Sequence, residues 1–203
     1  MPTGANEVWA ALAWGGVSTA GLLVGALAGS FSRMPHHTVA VAMSVGAGLL
    51  LAAVSLKVAA DAIAVAGPLA AALSLVIGAG LFSASNAFLA RFGAAHRKRC
   101  GDCIQQPAAS RPGSGLAMGI GNALDAVPEA LILGLALHDR TVPVVLVAAF
   151  SAGNLPEALS SAAGMRAAGR SYLHILLLWG AIAAGAAISI AAGYVGFGWL
   201  SQV

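Results

Sequence analysis

Six stretches of this chain each run for about 20 residues or more with almost no charge, the length a helix needs to cross bilayer hydrocarbon. They cover about Val8 to Ser30, Thr38 to Ala59, Ile63 to Leu89, Leu116 to Leu137, Val142 to Met165 and Tyr172 to Trp199. Inside lipid, every backbone N–H and C=O must be bonded within its own helix or within a closed barrel. Such long, unbroken runs predict an all-α fold, a polytopic transmembrane bundle of about six spans that forms a single domain over residues 1–203. Asp61 and Pro68 fall near the second boundary, so the break between the second and third spans is expected around residues 59–63. Composition agrees: 59% of the residues are apolar and 8% charged, where a soluble domain has about 25% charged residues. The basic surplus flanks the spans and does not form an aromatic-basic surface, so no nucleic-acid partner is expected. The N-terminus, Met1 to Glu7, lacks a basic region, and the first run is too long for a signal-peptide core. The first span is therefore expected to stay.

Charge placement sets the expected orientation. Arg33 lies at the first join, Arg91, Arg97, Lys98, Arg99 and Arg111 at the third, and Arg166 and Arg170 at the fifth. The second join has only Lys57 near it, and the fourth only Arg140. Basic loops stay cytoplasmic, so both termini should face outward from a bacterial-type inner (plasma) membrane. Residues 91–115, rich in Gly, Ser, Pro and basic residues, read as a flexible cytoplasmic loop between spans three and four. This loop holds His96 and the pair Cys100 and Cys103. One CxxC lacks the four ligands of a structural zinc site, so two reduced thiols are the preferred reading over soft-metal docking.

Chemistry points to spans four and five. Pro-Glu-Ala-Leu occurs twice, at Pro128–Leu131 and Pro156–Leu159, each time deep inside a span. A carboxylate at mid-membrane is costly and is functional by default. A proline before it frees a carbonyl one turn back, here that of Leu124 or Ala152. Asn122, Asp125 and Glu129 share one helical face, as do Asn154, Glu157 and Ser161. With a short join at about His138 to Thr141, the two spans are expected to be antiparallel neighbours. Counting back from that turn places Asp125 level with Asn154, and Asn122 level with Glu157. Asn122, Ser160 and Ser161 also have a plain role as interhelical packing glue. The three carboxylates have no lysine or arginine at their depth in the sequence, so a cation or protons must balance them. The inverted placement of the two Pro-Glu copies is what midplane transport sites show.

These motifs resemble the fourth and fifth helices of the ZIP (Zrt/Irt-like) metal transporters, which carry His-Asn-x-Pro-Glu-Gly in the fourth and a similar motif in the fifth. The matching stretches here are Asp125-Ala126-Val127-Pro128-Glu129-Ala130 and Gly153-Asn154-Leu155-Pro156-Glu157-Ala158. The stretch Gly46 to Ala53 is similar to that family's second helix, and the variable cytoplasmic loop and outward N-terminus also fit. By this resemblance Asp125 stands where the family usually has a metal-binding histidine. Glu129 and Glu157 match its two glutamates, which can bridge a binuclear site, and Asn154 falls where a second metal is held. Gly153 and Ala126 occupy positions where the family commonly supplies ligands, and the sixth span lacks the acidic residue some members place there. The family has eight helices, against six runs here.

The resulting expectation is a secondary transporter, not an enzyme, that needs no cofactor and moves a divalent transition metal. Its metal site would comprise Asp125, Glu129, Asn154, Glu157 and Asn122. An all-oxygen side-chain set admits manganese, iron(II) or cadmium besides zinc. The alternative is a non-transporting, ZIP-like metal sensor or scaffold. Expected partners are the metal ion and the lipid bilayer, with a homodimer left open. The ladder Gly21, Gly25 and Gly29 reads as close helix packing in preference to a dimer seam. Lys57 is expected to snorkel at the end of span two and pair with Asp61. His36, His37, His138 and His174 read as interfacial, and Trp9, Trp14 and Trp199 as belt residues.

Overall fold

The computed structural model describes residues 5–31, 35–94, 114–137 and 144–200. Seven α-helices account for nearly all of them: α1 (Ala5–Phe31), α2 (His36–Ala53), α3 (Ala59–Ala66), α4 (Pro68–Leu89), α5 (Ser114–Leu137), α6 (Val144–Ala167) and α7 (Tyr172–Leu200). A π-turn, Val54–Val58, joins α2 to α3 without a break, so the two form one span. Among the described residues there is no strand, and six spans are long and apolar enough to cross a membrane. The all-α polytopic bundle is thus as expected.

Two boundaries differ from the sequence reading. The second span continues past Ala59 to Ala66, and the third starts at Pro68. Gly67 makes the break, with φ at +82°, a conformation that L side chains rarely adopt, and Pro68 opens the next helix where its missing N–H costs nothing. Asp61 does not interrupt the helix because Lys57, one turn earlier, pairs with it at 2.8 Å. The other difference is at Arg91, where a loop was expected. Helical structure runs on through a second π-turn, Ala90–Ala94, where no proline interrupts it and Gly93 does not turn to positive φ. His96, Cys100, Cys103, His138 and the join at 138–143 lie outside the described residues.

Helix pairing follows the glycines. A Cβ on Gly21, Gly25 or Gly29 would run into the carbonyl oxygen of Ser151, Leu155 or Leu159 respectively, so α1 and α6 lie backbone to backbone over two turns. Both numbers rise together, so the two helices are parallel. The ladder is therefore spent inside the chain, against α6. A second parallel pair is built alike: Gly119 of α5 meets the Leu178 side chain of α7 and Gly134 abuts the Ile190 carbonyl, the numbers again rising together, while Gly193 of α7 abuts the Leu131 carbonyl. Lipid offers no hydrophobic drive between helices, so such close van der Waals approach is what holds them. The two pairs run in opposite directions, and each carries one Pro-Glu-Ala-Leu copy. They meet chiefly along α1 and α7, while α2 packs on α6. Leu22, Phe150, Leu133, Trp179 and Ile190 fill the space between.

At the end where α6 stops, Gly169 (φ +79°) closes the helix, with the Arg170 N–H donating to the Met165 carbonyl. The Ser171 hydroxyl then accepts from the His174 N–H and caps α7. The Arg166 guanidinium lies 3.6 Å from the Tyr172 ring centroid, and Tyr172 stacks on Phe31 at 4.7 Å. This clamp ties the ends of α1, α6 and α7 together. Trp9 is exposed, whereas Trp14 packs partly against the core because its helix face turns inward.

Gly25→Leu should therefore destabilise the detergent-solubilised protein by about 1–3 kcal/mol or more, read as a lower unfolding temperature. Gly48→Ala, at a site with no neighbour within 4 Å, should be neutral or stabilise by up to about 1 kcal/mol.

Candidate functional site

Rotation of α6 divides it into three faces. Successive residues turn by about 100°, and Ser151, Leu155 and Leu159 mark the side held by α1. Pro156 and Gly153 point to α2, where the proline ring seats on Gly46 and Leu50 fills the space beside Gly153. Asn154, Glu157 and Ser161 fall on the remaining face. On α5 the same reasoning applies: Leu131 and Gly134 face α7, so Asn122, Asp125 and Glu129 lie roughly opposite. Both polar faces are thus left over once the glycine contacts are made.

They turn towards each other. The Asn122 side-chain amide donates to the Ser161 hydroxyl at 3.2 Å, a buried bond between α5 and α6. It fixes a register about one turn away from the one counted from the loop: Asn122 lies level with Ser161 instead of Glu157, and Glu129 level with Asn154. The expected register assumed a tight symmetrical turn, which the described residues do not include. The consequence favours a shared site. In the observed register Glu157 falls level with Ala126, so Glu129 and Glu157 differ in depth by roughly 4.5 Å at 1.5 Å per residue. Asp125 lies about one residue's rise beyond the level of Glu157, on the side away from Glu129.

Burial grades these groups. Asn122, Asn154, Ser160 and Ser161 are buried, while Asp125, Glu129 and Glu157 are half-buried. The Asn122 Oδ1 and Glu129 Oε2 atoms are buried and accept no hydrogen bond among the described residues, though both residues make other contacts. Two expectations change. The carbonyl of Ala152, freed by Pro156, lies beside Gly46 on the α2 side, so it is drawn away from the α5-facing groups. Pro128 is exposed, whereas Pro156 is buried, so the two copies are not packed alike. The donor set on offer is therefore chiefly side-chain carboxylates and amides. Among the described residues no three His, Cys, Asp or Glu side chains converge as a ready metal cluster. The cause lies in the packing: α5 leans on α7 and α6 on α1 and α2, and the two touch only locally.

Sequence reasoning missed Trp179. It is fully buried in α7, and its indole N–H has no acceptor among the described residues. No charge or motif marks it. Lys57 and Asp61 pair as expected, with side chains 50% and 57% exposed, but the span runs on to Ala66, so Lys57 does not stand at its end as expected.

Fold and site together define a polytopic α-helical membrane protein with an acidic, amide-bearing seam between two oppositely directed helices. No protein-family model, no curated protein and no solved structure matches the chain.

If the Asn122–Ser161 bond couples the helices, Asn122→Ala and Ser161→Ala should show non-additive stabilities. A double-mutant cycle on reversible unfolding in bicelles should give about 0.6 kcal/mol of coupling, at most about 1.7. Additive effects would remove the bond from the account.

Proposed function

We propose that this protein carries divalent transition-metal ions, zinc first, across the membrane through the seam between α5 and α6. The observation that supports this reading most is the pair of Pro-Glu motifs on oppositely running spans, at nearly one depth, with their polar faces joined by the Asn122–Ser161 bond. A cation leaving water needs oxygen atoms to replace its hydration shell. Glu129, Glu157 and Asp125 would supply charge, and Asn122 and Asn154 neutral oxygen. Hard oxygen ligands hold zinc without excluding manganese, iron(II) or cadmium. Protons compete for the same carboxylate oxygens, so metal binding releases protons wherever they are held.

Transport requires the seam to tighten round the ion and then open to the other side. Two glycine-locked pairs, α1 with α6 and α5 with α7, are suited to move as units, since their internal contacts leave no slack. Their mutual contacts along α1–α7 and α5–α6 are the places to slide. Inverted pairs around a midplane site are the general design of secondary transporters. The resemblance of both motifs to the ZIP pattern supports the same reading, with Asp125 replacing the usual histidine.

One observation favours a second reading, a non-transporting metal sensor or scaffold: no three-ligand group is assembled among the described residues. Flux separates the two. In proteoliposomes loaded with a zinc-sensitive dye, the wild type should give time-dependent influx, and Glu129→Gln and Glu157→Gln should each fall to the level of empty vesicles. Saturable binding without influx would establish the second reading. Wild-type influx in both variants would refute the proposed seam.

A further inference from the structure

An apolar furrow of about 810 Å³ runs between α2 and α6, on a different face of α6 from the polar seam. Its walls are Leu49, Ala52 and Leu56 on one side and Val145, Ala148 and Ala152 on the other, with Lys57 at its rim. Small side chains make the hollow: alanines on both helices face each other where larger residues would interlock. Its inner end is shut, because Pro156 seats on Gly46 and Leu50 packs on Gly153 just beyond it. The outer end opens beside the π-turn Val54–Val58, where Lys57 and Asp61 form their pair.

From Val144 to Ala152 the furrow extends along α6 for about 12 Å, which is less than half the roughly 30 Å hydrocarbon thickness. Because α6 begins at Val144 and ends at Ala167, the furrow falls in the half of the span nearest its Val144 end, the depth of one leaflet. A spanning helix cannot continue through its closed end. Water finds almost no polar partner on its walls, so it would not fill with solvent. Hydrocarbon chains would fit.

We propose that this furrow binds one phospholipid whose headgroup carries a primary ammonium, with acyl chain in the hollow and headgroup on Lys57 and Asp61. Charge complementarity selects the headgroup. Lys57 faces the phosphate, and Asp61, one turn further out, faces the ammonium, which can donate hydrogen bonds to it. A headgroup with net negative charge and no amine leaves Asp61 opposed. A quaternary amine offers the charge without a donor. The inference is independent of metal transport.

The test uses the full chain in nanodiscs of equimolar phosphatidylethanolamine, phosphatidylglycerol and phosphatidylcholine, followed by mild detergent release and native mass spectrometry. About one phosphatidylethanolamine should remain per chain, several-fold above its share of the mixture. Ala148→Trp, which fills the hollow from an exposed position, should lose the retained lipid. Lys57→Ala with Asp61→Ala should keep a lipid but lose the headgroup preference. Ala52→Phe serves as the filling variant if Ala148→Trp does not fold. Retained lipids that mirror the mixture, or that favour phosphatidylglycerol or phosphatidylcholine, would overturn the proposal. So would a filled furrow that retains lipid as the wild type does.

Discussion

Close contact between α1 and α6 governs this bundle. Three glycines set one turn apart let the α1 backbone lie directly on carbonyls of α6, and no residue with a Cβ could take their places without moving the helices apart. That contact fixes how α6 is rotated. Once Ser151, Leu155 and Leu159 face α1, and Pro156 faces α2, Asn154, Glu157 and Ser161 have one direction left. On the other side Gly134 and Gly193 do the same for α5 and α7, which leaves Asn122, Asp125 and Glu129 facing the seam. The polar groups meet because the apolar ones have been placed first. Without a hydrophobic force to sort helices in lipid, small residues take over that role.

The seam is matched in depth but loosely closed. A buried side-chain bond across α5 and α6 joins Asn122 to Ser161. The carboxylates lie further along, within about a turn of each other by level. Under the proposed transport, such an arrangement would let ligands gather round an ion and part again. Pro156 packs into the α2 surface while Pro128 is exposed, so α6 is braced on its proline side and α5 is not. If one helix moves more than the other, the packing assigns that part to α5.

Much of this was legible in the sequence. Apolar runs revealed all six spans, because length and continuity suffice when lipid is the solvent. The i, i+4 spacing of Lys57 and Asp61 foretold their pairing, and the spacing of Gly21, Gly25 and Gly29 foretold a close contact, though not its partner. What the sequence concealed depended on tertiary packing. The α5–α6 register cannot be counted from a turn whose geometry is unknown, and a shift of one turn changes which residues stand level. Gly67 as the break between spans was masked by Asp61, a charge that fell near the expected boundary although its pairing with Lys57 lets the helix continue. Trp179 resembles any interfacial tryptophan until its burial is seen. The Ala152 carbonyl could be predicted free, but not predicted to face α2.

The most direct test of the central claim is an anomalous difference map from crystals of the protein soaked in zinc and collected at the zinc edge. The account predicts a peak inside the bundle between α5 and α6, with carboxylate oxygens of both Glu129 and Glu157 at about 2.0–2.2 Å. Zinc peaks confined to the surface or to the Cys100–Cys103 segment, in crystals whose interior seam stays empty, would contradict it.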